Sequence, residues 1–381
     1  MYTIGSHLGM IADEGRTSAF RRALAETVEP GCRVADIGTG TGIFAIMACK
    51  LGAGRVYAIE PDLVVEVARQ AAADNGVADQ IEFIPFSSTE VDLPEPVDLV
   101  VADLGGVLPY FKQAVPALID ARERFLADDG LMIPARDTMR AVLVQTHKPF
   151  PYDLEALTDP GLGVDMTAGM KYATNAWIRG KPGDAAVLTE PQTWGMLDYM
   201  RVSSPAARGN FSAPVIRMGI ANAICVWFDR ELTADTGFSN APDQPELIYG
   251  QALFPLERPV KVHAGDGVAV RFEAQLAGED YAWRWETNIT PSDGGAPSVA
   301  FQQSTVRSVP ASISRLRRRE ASYRPRVGTD GAIDDFVLSR MDGTATLSEI
   351  AGQLMNRFPE RFADEKSALD GVARLSERYS V

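Results

Sequence analysis

Apolar and polar positions follow two different rhythms along this chain, and the change of rhythm divides it. In the first part, short unbroken apolar runs alternate with stretches of helical spacing. Val34-Ala35-Asp36-Ile37, Val56 to Ile59, Ile81 to Phe86, Val97 to Ala102 and Leu131 to Pro134 read as strands buried on both faces. Between them, Ile43 to Lys50, Leu63 to Asp74 and Val115 to Leu126 read as helices. Asn75-Gly76 is a helix stop and Asp128-Asp129-Gly130 a turn. Ahead of the first strand, Ser18 to Val28 places Ala19, Phe20, Ala23, Leu24 and Val28 on one helical face. This alternation predicts an α/β fold, a Rossmann-like doubly wound sheet over residues 1–135.

From Thr138 the rhythm shortens to strict alternation between Pro/Gly turns. Met139 to Val144, Ala223 to Phe228, Val268 to Glu273 and Tyr281 to Trp285 are strands of this kind, predicting a β-barrel or sandwich over residues 136–305. Trp283 and Trp285 share a face and read as core. Arg315 to Arg319 reads as a linker. Residues 320–381 then hold two helices, Ser348 to Phe358 and Glu365 to Tyr379, as in a small helical or winged-helix domain.

The candidate chemistry starts at the first strand. Gly38, Gly40 and Gly42 follow it at alternate positions, and Glu60 closes the second strand. Strand, glycine turn, helix, strand, acid is the plan of a nucleotide-binding βαβ half. Glycine lets a ligand lie against the backbone, and a carboxylate after the second strand can accept both hydroxyls of a ribose. Position 43 is isoleucine, so the dinucleotide spacing is not met, and Asp36 stands two residues before the first glycine. That carboxylate suits the amino-acid end of S-adenosylmethionine (SAM) better than a pyrophosphate. NAD and a glycine turn without ligand are the alternatives. Arg16 offers a planar fork for a ligand carboxylate, or is a surface arginine.

Composition narrows the setting. The 381 residues carry a net charge of −14, which argues against nucleic acid as a partner. No apolar run approaches the length of a membrane span, and no signal peptide is evident at the N-terminus. Cys32, Cys49 and Cys225 form no C-x-x-C pair, so no zinc site is expected, and the thiols point to a cytoplasmic protein.

Residues 1 to about 290 resemble the protein arginine methyltransferases, class I SAM-dependent enzymes. The resemblance is carried by His7-x-x-Met10-Ile11-x-Asp13-x-x-Arg16-Thr17, by Val34 to Ile43, and by Val56-Tyr57-Ala58-Ile59-Glu60. Gly130 to Pro134 and Gln251-Ala252-Leu253-Phe254 add to it. It implies SAM as cofactor, with Met10, Gly38 and Gly40 around it, Arg16 and Asp36 at its methionine end, Glu60 at the ribose, and Ser88 and Thr89 beside the adenine. It also implies a homodimer, through an arm near Tyr172 to Asp184.

The departures set the expectation for the acceptor. The family's two loop glutamates align with Asp103 and Lys112. A lysine facing a guanidinium would repel it, and the barrel loop reads Ile248-Tyr249-Gly250. The expectation is therefore carboxyl O-methylation, with Lys112 holding an anionic acceptor or pointing to solvent. Asp103 could instead act as a base or hydrogen-bond a hydroxyl or amine acceptor, and Tyr110 and Tyr249 are candidate wall or hydrogen-bonding residues, or core packing. In the tail, Asp342-Gly343, Thr346 and Glu349-Ile350-Ala351 resemble PqqD-like domains, which add a leader peptide to a sheet edge. The expected substrate is a ribosomally made precursor peptide. A small-molecule O- or N-methyltransferase and a catalytically silent SAM-binding protein are the alternatives.

Overall fold

The computed structural model describes residues 3–146, 163–180, 186–310 and 312–380. They belong to two compact units, Met1–Pro310 and Ala311–Val381.

In the first unit, α1 (Ile4–Ala12) and α2 (Glu14–Thr27) precede a sheet of five parallel strands, β1 (Arg33–Ile37), β2 (Arg55–Ile59), β3 (Ile81–Ile84), β4 (Val97–Ala102) and β5 (Leu126–Ile133). The connecting helices are α3 (Ile43–Leu51), α4 (Val65–Asp74) and α5 (Ala114–Arg124). Spatial order is β3-β2-β1-β4-β5, so the winding reverses between β1 and β4. Ligands bind in the crevice that such a reversal opens at the carboxyl ends of the strands. The strands are apolar on both faces because helices cover both; Val34, Val56, Val97 and Val100 are fully buried.

Two elements differ from the sequence reading. Residues 4–12 form a separate helix, α1, because Thr3 and Asp13 divide the segment. Thr3 caps α1 by accepting from the Ser6 N–H, and Asp13 Oδ1 caps α2 by accepting from the Arg16 N–H at 3.0 Å. Asp13 Oδ2 accepts from the Ile248 N–H at 2.6 Å. Asp128-Asp129-Gly130 is not a turn before a strand. It lies inside β5 as a bulge, where pairing with β4 jumps from Val97↔Leu126 to Leu99↔Leu131.

The alternating part forms two antiparallel sheets. One joins β6 (Arg136–Gln145), β7 (Ile178–Gly180), β8 (Ala186–Val187), β9 (Gln192–Asp198), β11 (Gly219–Glu231), β12 (Gly237–Ser239) and β13 (Gln251–Val262). The other runs β10-β14-β15-β16, with β10 (Ala207–Pro214), β14 (Gly267–Ala277), β15 (Asp280–Thr290) and β16 (Val299–Ser304). Trp283 and Trp285 are buried core residues, packing edge-on against Phe254 at 5.5 and 5.1 Å. The short helix α6 (Met170–Ala173) lies in the expected arm, whose residues 181–184 fall outside the described residues.

In the second unit, α7 (Ile313–Arg317) is followed by α8 (Thr329–Leu338), α9 (Leu347–Arg357) and α10 (Glu365–Tyr379). A Thr346/Glu349 capping box starts α9. Ile333, Val337, Ile350, Ala351, Leu354, Ala368 and Val372 make its core. Among the described residues this unit holds no strand, so the expected winged helix lacks its sheet.

Candidate active site

A cleft of about 700 Å³ opens over the carboxyl ends of β1, β2 and β4. Its floor is the glycine turn. Gly38, Gly40 and Gly42 all have left-handed backbone, with φ of 70°, 56° and 81°. A Cβ on Gly38 would stand 2.4 Å from the Leu104 side chain, so only glycine lets the turn pass beneath that loop. The Gly38 and Thr39 N–H groups donate to Ile59 O, pinning the turn to the end of β2.

Glu60 takes one backbone donor on each oxygen, Gly40 N–H at 3.1 Å and Asp62 N–H at 2.9 Å. Each oxygen keeps a second lone pair, which suits a pair of ribose hydroxyls. Met10, Arg16, Gly38, Gly40, Glu60 and Ser88 line the cleft, as do Asp103, Lys112 and Tyr249. The other two expected cofactor residues do not. Asp36 is buried behind the turn, where its Oδ2 accepts from the Thr39 hydroxyl at 2.6 Å and the Ala45 N–H at 3.0 Å. It braces the loop and is not a lining residue. Burial pushes its carboxyl up to about 7, against the pull of those two donors. Thr89 is exposed, and its hydroxyl pairs with that of Ser87 at 2.9 Å.

Arg16 sits at the first turn of α2. Its Nε donates to Asp103 Oδ2 at 2.6 Å and its Nη1 to Met10 O at 3.1 Å. The guanidinium lines the cleft, with the Tyr249 hydroxyl beside it. The residues present therefore fit SAM: a glycine floor, a carboxylate with spare acceptor capacity, and a guanidinium in the lining.

Asp103, at the end of β4, is the centre of the acceptor side. Besides Arg16, its Oδ2 accepts from the Tyr249 hydroxyl at 2.7 Å, and its Oδ1 accepts from Arg230 Nη1 at 2.8 Å. Burial would raise its carboxyl, but the two arginines and the tyrosine outweigh burial and hold it below the usual carboxylate range. It is a carboxylate at neutral pH. Burial and the Asp103 charge push the Tyr249 phenol well above its usual value, so it stays a donor. Tyr110 packs edge-on against Tyr281 at 5.7 Å and is a core residue.

Lys112 sits at the rim. It is exposed, its ammonium lies 5.2 Å from the Phe111 ring, and it has φ +43°. Its charge is therefore in high-dielectric surroundings and not in a desolvated anion pocket. Sequence reasoning missed Arg230, Asp137 and Tyr199, which reach the site from the antiparallel sheets. Each is a single polar residue with no motif around it, so no local signal marks it.

This fold and cleft define a class I SAM-dependent methyltransferase. Residues 16–135 match the model of ribosomal protein L11 methyltransferases, and residues 151–285 that of the arginine methyltransferase oligomerization subdomain. An arginine N(omega)-methyltransferase of Streptomyces achromogenes subsp. streptozoticus is 30% identical over 278 residues, which is 70% of this chain and 74% of that one. Protein arginine N-methyltransferase PRMT10 of Oryza sativa subsp. japonica is 31% identical over 314 residues, 71% of this chain and 81% of that one. Among solved structures, a Trypanosoma brucei PRMT1 enzyme-prozyme complex aligns with TM-score 0.72 at 21% identity, over 79% of this chain and 98% of that one. Arabidopsis thaliana protein arginine methyltransferase 10 aligns with TM-score 0.71 at 21% identity, over 79% and 97%.

The chain belongs to the arginine methyltransferase family. It is an enzyme, and SAM is its methyl donor. The expectation of carboxyl O-methylation is overturned by the relatives, which are named for arginine. The physical premise fails with it, because Lys112 is a solvated rim residue, and the group at its aligned partner position, Asp103, is a buried carboxylate. Among the described residues no helix is long and apolar enough to cross a membrane.

Proposed function

We propose that this enzyme methylates a guanidino nitrogen of arginine. The observation that carries the reading is the Asp103 carboxylate, ionised and only 5% exposed, at the cleft. Of its acceptor directions, Oδ2 has two donors and Oδ1 has one. One lone pair at Oδ1 is left for an acceptor N–H. A guanidinium supplies that donor, whereas an ionised carboxylate has none to give.

When bound, SAM supplies an electrophilic methyl group on a sulfonium. In this reading the Arg16 guanidinium would hold the ligand carboxylate, and Glu60 would accept the ribose hydroxyls. Met10, Gly38, Gly40 and Ser88 shape the cavity around the nucleoside, and Asp36 stiffens the turn from behind. Asp103 draws the acceptor's positive charge toward the nitrogen it binds and leaves the nitrogen facing the methyl more nucleophilic. As the N–C bond forms and the methyl–sulfur bond breaks, its electron pair staying on sulfur, that nitrogen gives up a proton to water at the open side of the cleft. Tyr249 and Arg16 hold Asp103 by Oδ2. Lys112 screens the mouth. The sequence likeness to oligomerization subdomains supports a homodimer through the arm near Tyr172 to Asp184.

The test is incubation with SAM and, separately, free arginine, an arginine peptide and a glutamate peptide, read by mass spectrometry. One methylene of added mass on arginine supports the proposal, and the two arginine arms separate a free from a peptide-borne acceptor. Modification of glutamate alone, as a base-labile ester, would refute it.

A further inference from the structure

We propose that Arg230 is a positioning residue for methyl transfer: from β11 it grips Asp103 by Oδ1 and fixes the direction in which that carboxylate meets the acceptor. The inference rests on the reading of Asp103 as the acceptor's partner, and goes beyond it by naming what holds Asp103 from the antiparallel side.

The geometry is a chain of charge-assisted bonds running from the second layer into the cleft. Arg230 is buried, with its side chain 1% exposed. Its Nε and Nη2 donate at 2.8 Å to the two oxygens of Asp137 on β6, a fork-on-fork pair. Asp137 is fully buried and is fixed in turn by the Tyr199 hydroxyl at 2.6 Å. With two donors spent on Asp137, the remaining arm, Nη1, can point only one way, and it lands on Asp103 Oδ1 at 2.8 Å. The guanidinium also lies 4.9 Å from the Phe228 ring, which stops it from swinging.

Arg16 and Tyr249 both act on Oδ2. They hold one oxygen and leave the carboxylate free to turn about it. Arg230 is the contact that removes this freedom, and it does so at the oxygen that retains a lone pair for the acceptor. A purely structural ion pair would be complete with Asp137 alone. The third bond, across to the loop after β4, is what ties this pair to the chemistry.

Every charged or titratable group facing Asp103 enters the test. Arg16 comes from α2, Arg230 from β11 and Tyr249 from the segment before β13, with Asp137 and Tyr199 behind Arg230. Tyr110, on Asp103's own loop, is near enough to Asp137 for its phenol to be raised, after burial, by that charge.

The experiment uses the full chain with Arg230→Met combined with Asp137→Asn, so that no buried charge is left bare. Two quantities are read: the ¹³C-carboxyl titration of Asp103, assigned with Asp103→Asn, and the acid limb of kcat/KM. Loss of an opposite charge in contact should raise the Asp103 midpoint by about one to three pH units, and the acid limb should move with it. Asp137→Asn alone should leave the midpoint low. Arg230→Lys keeps the charge but not the three-way fork. It should leave the midpoint low while kcat/KM falls roughly tenfold or more, and it decides the matter if the double variant does not fold. An unchanged midpoint in the folded double variant, or full activity in Arg230→Lys, would overturn the role. If the wild-type chain methylates no arginine, the proposed function falls separately. The carboxyl titration then decides on Arg230 alone: an upward shift sustains the grip on Asp103, and no shift removes it.

Discussion

Replacing Tyr249 by phenylalanine removes one hydroxyl from the cleft and leaves the ring. That ring is buried, stacked on Phe238 at 5.7 Å and edge-on to Phe228 at 5.3 Å, so packing is retained. What is lost is a donor at 2.7 Å to an ionised, buried carboxylate. A hydrogen bond to a charged group is worth about 1.5–3 kcal/mol. Arg16 still serves the same oxygen, so about 2 kcal/mol of unfolding free energy is the expected loss. The same change makes Asp103 easier to protonate, and at about 1.4 kcal/mol per unit its midpoint should rise by roughly one unit. The sign follows from its depressed value. The stability that Asp103 contributes is present above its unfolded midpoint and lost as pH falls through the folded one. In Tyr249→Phe that loss, and the acid limb of kcat/KM, should both appear at higher pH. Urea unfolding and a pH–rate profile measure the two. A variant within about 0.5 kcal/mol of wild type, with an unmoved acid limb, would refute the reasoning. So would abolished activity at all pH values with the limb unmoved, since the hydroxyl would then act on the acceptor directly.

Three further outcomes follow from the same structure. Asp36 has its folded midpoint raised to about 7, so its contribution to stability is full below the unfolded midpoint and declines as pH climbs toward 7. Asp36→Asn should flatten the dependence of thermal unfolding on pH between about 4 and 7. Gly40→Ala puts a Cβ at φ +56°, 3.2 Å from the His7 ring, at about 1–2 kcal/mol of backbone strain. Its SAM affinity by isothermal titration should fall roughly tenfold. Leu354→Ala should lower tail-unit stability by about 2–5 kcal/mol, seen by calorimetry, while SAM affinity is unchanged, because the cleft is built wholly from the first unit.

The first half of the site is legible from sequence because its chemistry is local. Gly38, Gly40 and Glu60 sit within one βαβ unit, where strand ends and turn residues fix their relative places. The acceptor half is not local. Asp103 lies 127 positions from Arg230 and 146 from Tyr249, and pairing among β6, β11 and β13 brings them together. Lys112 illustrates the same limit. Alignment places it opposite an acceptor, but only the loop's path shows it turned out over Phe111. Asp36 is the converse case: spacing marks it as important, yet not as a group behind the turn. In the tail, the helices are plain from their capping box and apolar stripe. The motif that suggests a wing lies on the turn before α9, its cap and its first turns, and says nothing about strands.

Asp13 gives one oxygen to the start of α2 and the other to Ile248. The helix it starts carries Arg16, and the residue next to Ile248 is Tyr249. A change at this position would loosen two of the three hands on Asp103 at once while altering none of them. Loss-of-activity screens should therefore recover residue 13 alongside the cleft's own lining, and its defect should resemble partial damage at both places.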